Sequence, residues 1–382
     1  MRSMLDQWEV IIKSCFKDSR ELSHVSGIVN GNCGLMLLYA QLYSLTKNEY
    51  YLDELYKESD CAIGKCKGDY SLGYGLAGIS WTISLLCQLQ LFSDAEDWLL
   101  EADSLLEDAY FQKIREQNID YYKGALGILF YFLNKEDYPS DKLDDCIAIF
   151  CEYVSKRHRR EDWMERKFDF KEREYYEAIN LGVPHGITGV LLLLLLIKEK
   201  RGANIDSLIE TILELLLGFE NEQTHDLCHF PSAYRKDVTR HFSTIGWCYG
   251  DLMIGYAALK AGILLHNSKY VDWGMNILTE STYRDSHYGE NLVLCHGFTS
   301  LSHVYHSIYT KTGNKIFEVR SSHWRNKSLS LFEHRYQKYK KEGKDSFFEN
   351  PSLFFGVSGF FLSLISWERN EGTNDWMKCL LL

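Results

Sequence analysis

The sequence predicts an all-α protein, a closed α/α toroid in which seven inner helices stand inside seven outer ones. Three observations lead to that expectation. Glycine pairs spaced three apart recur along the chain: Gly31/Gly34, Gly75/Gly78, Gly124/Gly127, Gly186/Gly189 and Gly356/Gly359. Helical runs that are apolar on nearly all sides alternate with amphipathic ones. The last repeat, Phe354-Phe355-Gly356-Val357-Ser358-Gly359-Phe360-Phe361, is as apolar as the central ones. A fixed period marks a repeat architecture, and an open stack of repeats needs polar units at its ends. An apolar last repeat therefore favours closure.

Taken in order, the elements begin with an amphipathic helix over residues 5–16. Apolar runs at 35–45, 79–91, 128–133, 190–197 and 360–367 follow the glycine pairs. A helix apolar all round in a soluble protein lies inside, surrounded by other helices. Two further units keep only the first glycine, Gly250 with Met253 and Gly297 with Ser300, which brings the inner set to seven. Amphipathic runs at 93–112, 141–156, 205–219 and 270–283 supply outer helices, the first opening with the capping-box pair Ser93 and Glu96. The glycines are expected where inner helices crowd at one end, since a missing side chain lets backbones approach closely. Residues 222–246 lack a helical period and are expected to form a large loop over the active-site face; β-structure is expected to be minor. At 382 residues the chain exceeds one ordinary core, and a single repeat-built domain spanning 1–382 is the expectation.

Composition narrows the partners. Lys plus Arg number 42 against 53 Asp plus Glu, a net charge of −11, which argues against nucleic acid as a partner. The basic run Arg157-His158-Arg159-Arg160 reads as a solvated helix end, with contact to an acidic peptide as the alternative. The longest apolar run, 190–197, falls far short of the ~20 residues that span a bilayer. The first residues lack the apolar stretch of a signal peptide, so a soluble, cytoplasmic protein with no transmembrane segment is expected. Eleven cysteines then read as reduced thiols. Cys15, Cys33, Cys61, Cys66, Cys87, Cys146, Cys151 and Cys379 are expected to act as small hydrophobes.

The departures from the period hold the chemistry. With repeats aligned on their first glycine, His185 and His296 stand at −1, Cys248 and Cys295 at −2, and Asp120 at −4. All lie in turns that feed consecutive inner helices, and neighbouring helices pack roughly 8–10 Å apart, so these side chains can converge. Cys248, Cys295 and His296 form a soft set suited to zinc. Three protein ligands leave a tetrahedral place open, the catalytic rather than the structural pattern. The group His225, Cys228 and His229 fits no repeat position and reads as a coincidence in a surface loop.

The segments Gly-Val-Pro-His185-Gly-Ile-Thr-Gly, Trp-Cys248-Tyr-Gly and Cys295-His296-Gly, set in seven such repeats, resemble the lanthionine synthetase C-like cyclases over essentially the whole chain. The resemblance implies an α/α toroid that binds one zinc ion. It also implies an enzyme that adds cysteine thiols of a dehydrated precursor peptide to dehydroalanine or dehydrobutyrine, forming thioether rings. By that match Cys248, Cys295 and His296 are the zinc ligands, His185 the acid/base and Asp120 its catalytic-site aspartate. Tyr249, beside the metal, would donate to the enolate oxygen. A leader-bearing peptide substrate, a lantibiotic dehydratase and an export transporter at the inner membrane face are the implied partners. One place departs: the arginine that peptide cyclases often carry four residues before the first zinc cysteine is Thr244 here, with Arg240 nearby in sequence. Glutathione as thiol donor, or a non-catalytic zinc scaffold for peptides, are the alternative readings.

Overall fold

The computed structural model describes residues 11–12, 26–66, 68–92, 95–169, 173–222, 227–238, 242–285, 290–369 and 375–382. Of the expected N-terminal helix only Ile11 and Ile12 fall in that set, and both are helical and buried. Cys15, Ser93, His225 and Arg240 lie outside the described residues.

Inner and outer helices alternate. Inner α1 (Cys33–Thr46) is followed by outer α2 (Glu49–Lys65), then α3 (Leu76–Gln88) by α4 (Glu96–Arg115) and α5 (Ala125–Asn134) by α6 (Ser140–Ser155). A three-stranded sheet intervenes, formed by β1 (Glu165–Asp169), β2 (Glu174–Asn180) and later β3 (Ala233–Tyr234). Next come inner α7 (Ile187–Arg201) with α8 (Asp206–Leu217), α9 (Asp251–Leu264) with α10 (Ser268–Ser281), and α11 (Phe298–Thr312) with the long α12 (Lys315–Glu342). A short α13 (Ser346–Glu349) leads to the seventh inner helix, α14 (Val357–Arg369). Each outer helix packs against the inner helix before it, and α14 packs against α1, which closes the ring. In α5 every residue is buried, as expected of a helix covered on all sides. The predicted boundaries shift by a few residues. From the second repeat on, the inner helices begin immediately after the first glycine, so the second glycine lies within the first turn. The capping box is a correction: α4 starts at Glu96 behind Ala95, which makes no side-chain cap.

Main-chain hydrogen bonds join the turns into a belt at one end of the ring. Ile28 and Val29 N–H donate to the Leu72 and Gly73 carbonyls, Gly73 to Tyr122, and Tyr121 to Pro184. The belt continues from Val183 to Cys248 (2.9 Å), from Cys248 to Cys295 (3.2 Å) and from Cys295 to Phe354 (3.2 Å). Pro184 has no N–H, and the donor in its turn is the residue before it. Closure from the seventh turn to the first is by contact: a Cβ on Gly34 would lie 2.5 Å from the Leu353 nitrogen.

That geometry revises the reason for the glycines. Crowding between inner helices contributes at Gly34, but most of the paired glycines are pressed by their own preceding turn. A Cβ would stand 2.0 Å from the Asp69 carbonyl at Gly75, 2.2 Å from that of Asn180 at Gly186 and 2.1 Å from that of Val183 at Gly189. An Asx residue six places before the first glycine shapes the turn. Asp69, Asn118, Asn180, Asn291 and Asn350 each accept the N–H two residues on. Such Asx turns fold the chain back sharply. In the fifth repeat this place is Thr244, and there alone among the first glycines the turn needs positive φ, at Gly250 (φ 87°).

The hairpin β1–β2 pairs antiparallel from Glu165↔Ala178 to Asp169↔Glu174, and β2 pairs with β3 through Ile179↔Tyr234 and Asn180↔Ala233. Strand β2 runs straight into the fourth turn and so positions His185. Within the expected 222–246 loop, β3 is a strand, and Cys228, His229 and Phe230 are buried. The surface-loop reading of Cys228 and His229 is therefore overturned. His229 bridges Glu220 (2.7 Å) and Glu280 (3.0 Å), its N–H and that of Phe230 donate to buried Asp251, and the Cys228 thiol donates to the Phe230 carbonyl. Arg157 stacks over Tyr153, and Arg159 pairs with Asp162. Residues 375–380 form a buried 3-10 turn; the Leu380 carbonyl accepts from Trp247 Nε1 (2.8 Å) and that of Cys379 from the Tyr121 hydroxyl (2.9 Å).

Candidate metal and acid/base site

Cys248, Cys295 and His296 are brought together. Their ligand atoms all lie within 4.8 Å of one another, and among the described residues this is the one cluster of His, Cys, Asp or Glu able to hold a metal ion. The belt explains the convergence: the two cysteines occupy the same place in adjacent turns, and the N–H of one donates to the carbonyl of the other. Both cysteines are buried, and His296 is half-buried against the Phe355 ring. Cys248 and Cys295 share a hydrogen bond. That bond, helped by His296, draws the Cys295 thiol down to about 6 against its burial. The same bond and burial hold the Cys248 proton well above the usual thiol range, because a second thiolate would press against the first. Two thiols and an imidazole at these separations are a soft donor set, so the residues present fit zinc.

A second constellation sits beside it. His185 Nδ1 lies 2.5 Å from Asp120 Oδ2, and the other carboxylate oxygen accepts the N–H groups of Tyr122 and Lys123, each at 2.8 Å. Asp120 is thus an Asx turn within its own repeat and a clamp on the imidazole of the next; the helix N-cap here is Gly124. His185 and Asp120 keep 33% and 23% of their side-chain surface, so both remain reachable. They open into a pocket of about 280 Å³ lined also by Lys123, Glu165, Lys167 and Asn180.

Tyr122 connects the two constellations and was missed in the sequence. Its buried hydroxyl lies 4.0 Å from Cys295 Sγ, and its ring meets His185 edge-on at 5.5 Å. With Trp247 and Phe354 it forms an aromatic floor, the ring centroids 5.0–6.1 Å apart. Burial first, then Cys295 and Cys248, hold its phenol well above the usual range, so it stays a neutral donor. Tyr74 is raised likewise, by burial and then by Asp120 and Cys295. Tyr249 packs on Gly182, and its hydroxyl accepts from Asn180 Nδ2 at 3.4 Å. Thr244 Oγ1 is buried with no hydrogen-bond partner among the described residues. The signal for Tyr122 and Tyr74 was available: they occupy the −2 and −1 places that hold Cys248 and His185 in other repeats.

A family model described as lanthionine synthetase C-like protein matches residues 26–381. Among solved structures the chain is similar to nisin cyclase, with a TM-score of 0.82 and 22% identity over 100% of this chain and 98% of that one. At that identity the likeness speaks for the fold. No curated protein matches the sequence. With the family model spanning nearly the whole ring and its turns, the chain belongs to the lanthionine synthetase C-like family.

Proposed function

We propose that the protein is a zinc-dependent cyclase that joins cysteine thiols of a dehydrated precursor peptide to dehydroalanine or dehydrobutyrine, forming lanthionine or methyllanthionine rings. One observation carries the reading: two thiols and an imidazole from consecutive turns lie within 4.8 Å of one another, and Tyr122 links them to the His185–Asp120 pair, its hydroxyl 4.0 Å from Cys295 Sγ and its ring against His185. Cys248, Cys295 and His296 would hold zinc. Zinc there supplies an electrophile that lowers the pKa of an incoming thiol and keeps it as thiolate near neutral pH.

The chain's own residues do the rest. His185, with Nδ1 fixed on Asp120, has its other ring nitrogen for proton transfer: it takes the thiol proton and returns it to the α-carbon after the sulfur has bonded the β-carbon. Asp120 orients the ring and stabilises its cation. The hydroxyl of Tyr249, which accepts from Asn180, is the donor to the developing enolate oxygen. Tyr122, Trp247 and Phe354 exclude water beneath the reacting atoms.

In this reading residues 1–382 act as one unit on a leader-bearing peptide supplied by a dehydratase and passed to an exporter. The described cysteines are free thiols, which suits a reducing cytosol. No described helix is long and apolar enough to cross a membrane. Incubating the zinc-loaded protein with a dehydrated precursor tests the reading: free thiols disappear without a change in peptide mass. Thiols that persist with zinc bound refute it. Thr244, a neutral residue where peptide cyclases often carry arginine, leaves open glutathione as the second reading, which predicts the mass gain of one glutathione. A non-catalytic scaffold instead predicts that His185→Ala leaves the peptide's fate unchanged.

A further inference from the structure

The residue just before the first glycine opens to solvent in all seven repeats, whereas the two residues before it are buried in all seven. The turns therefore present one side chain each to the mouth of the ring. His185, His296 and Tyr249 already occupy three of these places. Lys123 occupies another and is the only lysine or arginine among the seven.

Its placement is specific. The Lys123 N–H donates to the same Asp120 carboxylate that clamps His185. Its side chain lines the pocket of about 280 Å³ into which His185 and Asp120 open. The ammonium lies over the face of Tyr74, 5.4 Å from the ring centroid, and forms no ion pair with a described carboxylate. The Tyr74 phenol in turn feels the charges of Asp120 and Cys295. The cation thus stands at the pocket into which His185 and Asp120 open.

The chemistry asks for such a charge. When sulfur bonds the β-carbon, the C=C π pair moves onto the α-carbon and carbonyl oxygen, giving an enolate; the proton held by His185 then ends on the α-carbon. Negative charge passes from sulfur to that oxygen, and a preorganised cation there stabilises the transition state more than the ground state. We propose that Lys123 meets the carbonyl oxygen of the dehydro residue and stabilises the enolate formed on thiol addition. The proposal rests on the cyclase reading and adds a cation to the hydrogen bond that Tyr249 gives the same oxygen.

The test compares wild type, Lys123→Met and Lys123→Arg on a peptide with one thiol and one dehydroalanine, following thiol loss at saturating and limiting peptide. The expected result is a kcat about 100- to 1000-fold lower in Lys123→Met, with KM, melting temperature and zinc content close to wild type, and substantial recovery in Lys123→Arg. An unchanged kcat, a loss confined to KM, or an arginine variant no better than methionine overturns the assignment of Lys123 alone. A wild-type protein that forms no thioether overturns the cyclase reading and this proposal with it.

Discussion

Four glycines of this chain separate steric from conformational demand, and their alanine variants give a quantitative test of how the turns hold the site. A Cβ on Gly64, in α2, would meet nothing within 4 Å. Gly64→Ala is expected to stabilise by about 0.5–1 kcal/mol, the ordinary helix preference. Gly202 also has open space but sits at φ +60°, so its alanine carries only left-handed strain, about 1–2 kcal/mol. Gly189 has an ordinary helical φ, yet its Cβ would lie 2.1 Å from the Val183 carbonyl oxygen, where contact normally begins at 3.4 Å. Opening that gap is overpacking of about 1–3 kcal/mol and displaces the turn that carries His185. A shift of about 1 Å in a catalytic group can lower turnover about 100-fold. Gly250 combines both demands, with φ +87° and the Thr244 carbonyl oxygen 2.4 Å away, so the two ranges add to about 2–5 kcal/mol. Since Cys248 precedes it by two residues, Gly250→Ala is also expected to weaken metal retention. Denaturation midpoints and metal content of the four variants provide the assay. If Gly189→Ala is as benign as Gly64→Ala, or Gly250→Ala no worse than Gly202→Ala, the steric account of the repeat glycine is wrong.

The remaining predictions concern the site and its support. Cys248→Ser, Cys295→Ser and His296→Ala are each expected to lose stoichiometric zinc, measured by elemental analysis after dialysis, and thioether formation with it. His185→Ala is expected to keep zinc and peptide binding but to lower thiol consumption at least about 100-fold, with Asp120→Asn falling between it and wild type. Tyr122→Phe removes the hydroxyl beside Cys295 and is expected to lower zinc affinity about 10-fold with little change in melting temperature, read by competition with a chelator. His229 gives a pH signature. Burial opposes its charge, but the hydrogen bonds that its ring gives to Glu220 and Glu280 and the charge of Asp251 prevail, so its folded pKa is raised. Its contribution is complete below the ordinary histidine value near 6.5 and is lost as pH rises through the higher folded value. Melting temperature should therefore fall as pH rises above the ordinary histidine value in wild type and fall less in His229→Gln. The loss is expected to be about 1–3 kcal/mol, below that of a fully buried pair because Glu220 and Glu280 keep 27% and 31% of their side-chain surface.

Much of this was readable because the repeat is written in residues with narrow physical roles. Glycine has no substitute where a carbonyl stands about 2 Å from the Cβ position, so the period stays visible through five intact pairs. Alignment on it superimposes Cys248 on Cys295 and His185 on His296. The rest was hidden for identifiable reasons. Strands β1 and β2 are short, and the adjacent Tyr175 and Tyr176 among charged residues break any alternation of apolar and polar positions. Cys228 and His229 read as loop residues because nothing local reveals that Glu220, Asp251 and Glu280, from three separate elements, would satisfy them in the interior. The belt could not be seen at all, since main-chain hydrogen bonds leave no mark on side-chain identity.

That silence has an evolutionary side. Amide-to-carbonyl bonding depends little on the side chain, so the −2 place tolerates valine, glycine, tyrosine, cysteine and phenylalanine, and even proline once its neighbour Val183 donates, around a single circle without losing its shape. The scaffold thereby works like a wheel of interchangeable sockets: chemistry can be fitted, removed or moved to a neighbouring spoke while the rim keeps its geometry. Sequences can drift far apart under such an arrangement and still place a reactive group at the same point in space.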